Sequence, residues 1–324
     1  MDLKTAIQAP IKQELDVFKE YYNAQFSSEI PLLGSALGSV SSSGGKMMRP
    51  ILLLLTARAC GNISQETYAA AASLELLHTA SLLHDDVVDE SNMRRSAPSL
   101  NALYGNRVAI LTGDYLFSLA LNNAAKTKNI EIIEQLSQLG CALSGGEMMQ
   151  LQAQNNGAYD EENYYNIIKG KTASLFASCA YIGALSAGVT QEVATRFRRF
   201  GEIVGLCFQI KDDIFDYYTS DIGKPTGSDM REGKITLPAL YVLRTLQSPF
   251  TVAVSEKLAS GKELDEKEIE SLIELSKSAG GVVYAMAQIE RLRAESLTLL
   301  PSDIPAGCHE ALVAYIDYVI MREK

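Results

Sequence analysis

Five cysteines, Cys60, Cys141, Cys179, Cys207 and Cys308, are scattered along the chain, and no two stand at C-x-x-C spacing. That arrangement excludes a zinc ribbon and a disulfide framework, and reads as reduced thiols in a cytosolic protein. The longest apolar runs, such as "PILLLLTA" from Pro50, are far shorter than the ~20 residues needed to span a bilayer, so a soluble, cytoplasmic protein is expected. The first residues, "MDLKTAIQAPIKQELDVF", lack the basic-then-apolar profile of a signal peptide. An excess of positive charge is also missing. The formal net charge of −10 argues against a nucleic-acid partner, although a local basic cluster or a bound metal can still reverse the sign of one pocket. Histidine is confined to His78, His84 and His309. A phosphohydrolase of the HD type, for which His84-Asp85 would supply the pair, therefore lacks ligands.

What the chain does have is 324 residues, 47% of them hydrophobic, enough for a large core. Apolar residues recur at three and four, as in "ETYAAAASLELLHTASLLHDDVVDE", "NIEIIEQLSQLGCALSGGEMMQLQ" and "ATRFRRFGEIVGLCFQIKDDIFDYY". That period predicts helices, and few stretches alternate as strands do. Breaks are expected at "GSALGSVSSSGG" (Gly34 to Gly45), "QNNGAYD", "LPSDIPAG", and in a long loop from Ser220 to Lys234. Composition does not shift sharply, so one all-α domain over 1–324 is expected, with about ten or more helices. A structureless loop as long as the last one is often functional.

The stretch "SLLHDDVVDES" crowds Asp85, Asp86 and Asp89 into apolar surroundings. On a helix, Asp85 and Asp89 share a face and repel, and aspartate is a weak helix former. "QIKDDIFDYY" repeats the spacing with Asp212, Asp213 and Asp216. One such cluster is most often a solvated acidic face. Two identical ones, each ending an apolar helix, point to a shared demand for cations. Carboxylates without His or Cys partners suit Mg²⁺, which binds through one or two of them plus phosphate oxygens. The EF-hand pattern is absent. Cations flank both clusters: Lys46 and Arg49 in "GGKMMRP", Arg94 and Arg95 in "MRR", Lys169 and Lys171 with Thr172 in "KGKTA", and Lys224 and Lys234 in the long loop. Beside phosphate-binding metals they suggest diphosphate ligands. His78, two turns before Asp85, is a further donor. "GGEMMQLQ" reads as a helix packed closely at its glycines.

Taken in order, "GGKMMRP", "LLHTASLLHDDVVDESNMRR", "KGKTASLF", "FQIKDDIFDY" and "GKPTGSDMREGKITLP" resemble the trans-prenyl diphosphate synthases, with "HDDVVDES.MRR" similar to the long-chain octaprenyl and solanesyl members. The family's first motif usually reads GGKRLRP; here Met47 and Met48 replace its middle.

The resemblance implies a Mg²⁺-dependent transferase that condenses isopentenyl diphosphate with an allylic diphosphate. Its product would be a medium to long all-trans chain of about C40. A short-chain farnesyl or geranylgeranyl synthase is the alternative. The resemblance also implies three Mg²⁺ ions with substrate bound, held by Asp85, Asp89 and Asp212 with Asp86, Asp213 and Asp216 in support. It gives isopentenyl diphosphate to Lys46, Arg49, His78 and Arg95. It gives the allylic diphosphate to Arg94, Lys171, Thr172, Gln209, Lys224 and Lys234. Family members are usually homodimers, and a product of this length is suited to release into a membrane. Ala80 and Ser81 precede the first cluster by about one helical turn. Both are small, so the growing tail would pass them towards a floor near Leu77, Leu76 or Ser73 or on a facing helix.

Overall fold

The computed structural model describes residues 2–42, 44–94, 97–218 and 226–322; Arg95 and Lys224 lie outside them. The chain is all-α, with more than ten helices. The one strand pairing among the described residues is a two-residue antiparallel ladder, Met93–Arg94 with Ala97–Pro98. Among the described residues no helix is long and apolar enough to cross a membrane. The chain divides into two compact units. One comprises Met1–Gly140, Ser178–Arg198 and Pro301–Tyr315. The other comprises Cys141–Ala177, Arg199–Leu300 and Ile316–Lys324.

In the first unit the Met48–Cys60 helix is buried on every side from Pro50 to Ala57. Each of its fully buried leucines contributes roughly 1.5–3 kcal/mol by leaving water. The Gln65–Val88 helix begins at Ser64, whose hydroxyl accepts from Thr67 N–H while the Thr67 side chain reaches back to Ser64 N–H. Its alanines, Ala69 to Ala72, are buried. It packs along the Asn106–Lys126 helix. There Gly113 makes room for His84: a Cβ on Gly113 would stand 2.3 Å from His84 Nε2.

The Gly34–Gly45 stretch, expected as a break, is instead largely helical within Pro31–Ser42. Its serines compensate for weak propensity by bonding back one turn, Ser35 Oγ to Pro31 O (3.0 Å) and Ser39 Oγ to Ser35 O (3.1 Å). Burial of Ala36 and Leu37 supplies the rest. The break falls later, around Gly44, whose φ is +53°. Two other expected breaks hold: Gly157 (φ +63°) follows the Ile130–Asn156 helix, and "LPSDIPAG" separates Gly281–Leu299 from Ala306–Met321. Of the long loop expected from Ser220 to Lys234, residues 220–225 lie outside the described residues, and Ser228–Arg231 within it is a short helix rather than loop.

In the second unit three stretches converge on "KGKTA". Lys169–Ala173 forms a wide π-helical turn between Glu161–Ile168 and Ser174–Ser186. Such a turn inserts one residue and re-aims the side chains around it, and is frequent at functional sites. Gly146 and Gly205 pack against it; added Cβ atoms would lie 2.6 Å from Lys171 N and 2.5 Å from Ala173 Cα. The close helix contact expected at "GGEMMQLQ" is therefore made through Gly146. Because the neighbour is backbone, Gly146→Ala should destabilise the protein by about 1–3 kcal/mol through overpacking. Denaturant unfolding measures this, and an unchanged midpoint would contradict it.

Candidate active site

The first Asp cluster closes the Gln65–Val88 helix, with Asp89 as its C-cap. The three carboxylates are not equivalent. Asp86 is buried, and Arg94 grips it with Nε at 2.7 and 2.8 Å from its two oxygens and Nη2 at 2.7 Å from Oδ1. A buried carboxylate needs such a partner. Arg94, expected on the allylic diphosphate, here neutralises Asp86. Asp85 is half-buried and Asp89 exposed, so solvent and ligands can reach them. His84 does not join them. Its Nε2 lies 3.2 Å from Ile110 O and 3.4 Å from Asp114 Oδ1, which leaves the HD-type reading without its pair.

Beside the cluster lies a cavity of about 290 Å³ lined by Gly44, Gly45, Met47, His78, Asp86 and Arg94, and on its apolar side by Phe26, Leu82 and Leu83. It gathers His78, Arg94 and the "GGKMM" turn. Lys46 and Arg49 are absent from its lining; Lys46 is exposed and Arg49 half-buried. Met47, which replaces the usual basic residue, adopts a left-handed conformation with φ +49° before the Met48–Cys60 helix. Of the residues expected to set chain length, Leu77 and Ala80 are buried, and Ser81 donates to His78 O at 2.9 Å.

The second cluster ends the Gln191–Phe215 helix, whose residues from Arg199 onward belong to the second unit. Its carboxylates also differ. Asp212 Oδ1 accepts from Arg322 Nη2 at 2.7 Å. Asp213 is buried and accepts from Tyr164 Oη (2.6 Å) and Gln209 Nε2 (2.8 Å). Asp216 accepts from Ser228 N–H (3.0 Å), Ser228 Oγ (2.6 Å) and Asp229 N–H (3.1 Å), which ties the start of the Ser228–Arg231 turn to the helix end. Burial, and then repulsion from Asp229, pushes Asp213 well above the usual carboxylate range; burial and Asp216 do the same to Asp229.

A cavity of about 200 Å³ opens on this cluster, lined by Tyr164, Lys171, Thr172, Gln209, Asp213, Asp229 and Lys234. Four residues expected on the allylic diphosphate thus share one cavity. They are linked: Thr172 Oγ1 donates to Gln209 Oε1 (2.7 Å), and Gln209 donates to Asp213. Lys171 Nζ sits 2.5 Å from Glu147 Oε2 and 3.4 Å from Gln150 Oε1. Lys234 Nζ is 2.5 Å from Glu232 Oε2. The sequence reading missed Glu147, Tyr164 and Asp229. Asp229 had a signal, an acid inside a basic motif; Glu147 and Tyr164 had none beyond helical spacing.

Among the described residues no three His, Cys, Asp or Glu side chains stand ready as a closed metal cage. The donor set nonetheless fits Mg²⁺, which needs only one or two carboxylates beside phosphate oxygens. Asp213 and Asp229 both hold their protons more firmly than ordinary carboxyl groups, first because they are buried and then because neighbouring carboxylates repel their charged forms.

An all-helical chain with two aspartate-rich helix ends, and cavities lined by Lys, Arg, Thr and Gln, defines an enzyme class built for diphosphate esters with a divalent cation. The chain belongs to the polyprenyl synthetase family, whose model matches residues 30–276. It is 37% identical over 309 residues, 93% of each chain, to an all-trans-nonaprenyl-diphosphate synthase (geranyl-diphosphate specific) of Rhodobacter capsulatus. It is 31% identical over 304 residues, again 93% of each, to the octaprenyl diphosphate synthase of Escherichia coli (strain K12). The crystal structure of a geranylgeranyl pyrophosphate synthase from Bacteroides thetaiotaomicron is similar at 43% identity and a TM-score of 0.85, covering 99% of this chain and 100% of that one.

The buried acids generate a prediction for metal-free protein. Asp229 keeps its proton in the native state to a higher pH than in the unfolded chain, so native protein binds more protons and stability falls as pH rises from ~4 to the raised value. Asp229→Asn removes that loss at constant size. Thermal melts in chelator should show little difference near pH 4. Above neutrality the variant should be the more stable, by ~1.4 kcal/mol for each unit by which the pKa is raised. A variant equal to or less stable than the parent at ~pH 8 would contradict the assignment.

Proposed function

We propose that the chain is a Mg²⁺-dependent trans-prenyltransferase that condenses isopentenyl diphosphate with an allylic diphosphate, giving an all-trans polyprenyl diphosphate of about C40. The observation that carries the reading is the convergence of Lys171, Thr172, Gln209 and Lys234 on one cavity with Asp213. The relatives' activities, nonaprenyl and octaprenyl synthesis, support the long product. One observation favours a shorter one: the geranylgeranyl synthase of known structure shares 43% identity.

In this reading Asp85, Asp89 and Asp212 hold Mg²⁺, which supplies Lewis-acid charge to the departing diphosphate. Lys171 and Lys234 bind that diphosphate, and Arg94 holds Asp86 in place for it. Once the allylic carbon–oxygen bond ionises, the dipoles of Thr172 and Gln209 stabilise the cation. His78, with Lys46, Arg49 and Arg95, positions isopentenyl diphosphate so that its double bond attacks the cation. Loss of a proton, for which the released diphosphate is the acceptor, completes a trans unit without a side-chain nucleophile. A single domain over residues 1–324 is part of the proposal. A homodimer is part of the proposal, supported by Leu111, Phe117 and Leu121 exposed on the Asn106–Lys126 helix. So are a cytoplasmic location and transfer of the product to a membrane.

Incubation with labelled isopentenyl diphosphate, farnesyl diphosphate and Mg²⁺, followed by separation by length, tests the reading. Long polyprenyl diphosphates support it. Phosphate alone would indicate a hydrolase, and a cyclic hydrocarbon a cyclase. Asp85→Ala and Asp212→Ala should each cut turnover by about 10²–10³-fold while leaving the fold intact; near-normal turnover in either would contradict the roles given to both clusters.

Ala80 is buried about one turn, ~5.4 Å, before the metal-binding end of its helix. Ala80→Phe should shorten the product to farnesyl or geranylgeranyl length without stopping condensation. An unchanged length distribution, or an unaltered enzyme that stops at geranylgeranyl with excess isopentenyl diphosphate, would contradict the long-chain assignment.

A further inference from the structure

The helix carrying the first Asp cluster ends in a strained turn. Ser91 N–H bonds Asp86 O at 2.9 Å and Glu90 N–H bonds Val87 O at 3.4 Å, a pair that closes a helix by reversing the chain. The closure forces Glu90 into the left-handed region, φ +50°. Glycine usually fills that position, because a Cβ there meets the following carbonyl. The strain lies one residue from Asp89. Strain at such a place persists only where the surroundings over-determine the backbone.

The surroundings here are the segment from Ser99 to Asn101, beside the short ladder. Asn101 Nδ2 donates to two carbonyls, Asp86 O at 3.2 Å and Ser91 O at 3.0 Å, which are the two ends of the closing turn. Ser99 Oγ adds a bond to Ser91 O at 2.7 Å, and Ser99 N–H bonds Asn92 O at 3.1 Å. Only a donor serves at this point; the amide flipped over would set an acceptor against both carbonyls. The Asn101 Oδ1 is meanwhile buried without a hydrogen-bond partner among the described residues. The protein therefore tolerates an unsatisfied acceptor to keep one amide donor across this turn.

We infer that Asn101 is a positioning residue for the first carboxylate cluster. Its amide cross-braces the strained turn and so fixes the separation of Asp85 and Asp89. The inference rests on reading those two as Mg²⁺ ligands under the proposed function. Outer-shell partners of this kind set metal affinity without touching the metal.

The experiment follows the rise in melting temperature that Mg²⁺ produces in the presence of inorganic pyrophosphate. Asn101→Ala should need about tenfold or more Mg²⁺ for the same rise, while the KM for isopentenyl diphosphate stays near that of the parent. Adding Glu90→Gly relieves the left-handed strain and should restore most of the Mg²⁺ response. Ser99→Ala, a milder change that spares the amide, should shift the response in the same direction by less. A parent-like Mg²⁺ midpoint in both Asn101→Ala and Ser99→Ala would overturn the inference. So would a double variant that regains melting temperature without Mg²⁺ but not the Mg²⁺ response. If the unaltered chain itself shows no Mg²⁺-dependent rise, the metal-ligand reading fails and the inference falls with it. A rise in the parent that the variants share at equal Mg²⁺ overturns the inference alone.

Discussion

Negative charge crowded at apolar helix ends is the constraint around which the rest of this structure is arranged. Six aspartates stand in two sets of identical spacing, and each is accommodated differently. Asp86, buried, takes the half-buried guanidinium of Arg94. Asp213 takes a phenol and an amide, and holds its proton more firmly than an ordinary carboxyl group. Asp216 takes backbone and hydroxyl donors from the next turn. Asp212 borrows Arg322. Burial forces the solutions at Asp86 and Asp213, because a charge removed from water costs several kcal/mol unless paired. Asp85 and Asp89 stay accessible at the helix end, where a cation can be shared with a phosphate.

Much of this was legible in the sequence, for a physical reason. Helical periodicity reports burial directly, so the long helices and the position of both clusters follow from the pattern of apolar residues. The grouping of Lys171, Thr172 and Gln209 was carried by motif resemblance rather than by periodicity. What stayed hidden depends on tertiary contact. Pro31–Ser42 is helical because two buried side chains and serine back-bonding outweigh a composition that favours turns. The wide turn at Lys169–Ala173 follows from the approach of Gly146 and Gly205, which no local pattern encodes. Spacing reveals the charge of Arg94 but not its direction; its partner Asp86 stands eight residues back, in the helix that precedes the ladder. His84 likewise turns towards Gly113 rather than towards Asp85.

The cationic side chains share a feature that bears on turnover. Lys171 is paired with Glu147, Lys234 with Glu232 and Arg94 with Asp86. Under the proposed function a diphosphate meeting Lys171 and Lys234 must therefore take cations that already have anionic partners, so part of the Coulomb gain is offset by the bonds given up. Weak net binding is an advantage for an enzyme that must release diphosphate after every cycle and let a lengthening product remain or leave. Binding energy spent equally on ground and transition states does not accelerate chemistry. In that reading a lysine that exchanges a carboxylate for a phosphate bearing growing charge makes its larger gain as the bond breaks, because the leaving diphosphate, which carries one more negative charge than the bound ester, outcompetes Glu147 more strongly.

The acidic balance of the chain then follows from the same logic rather than opposing it. With a net charge of −10, no broad positive field draws in anions. Under the proposed function, diphosphate recognition falls to local geometry: fixed donors, paired lysines and the cations that travel with the substrate. Mg²⁺ gains most where carboxylates already repel one another, since it relieves their repulsion and the charge of the ester together. Both clusters satisfy that condition by placement at the ends of stiff, buried helices, where the carboxylates cannot spread apart to relax. The apolar helix interior is thus what gives the aspartates their chemistry: it holds like charges close enough that only a cation, or a proton, restores balance.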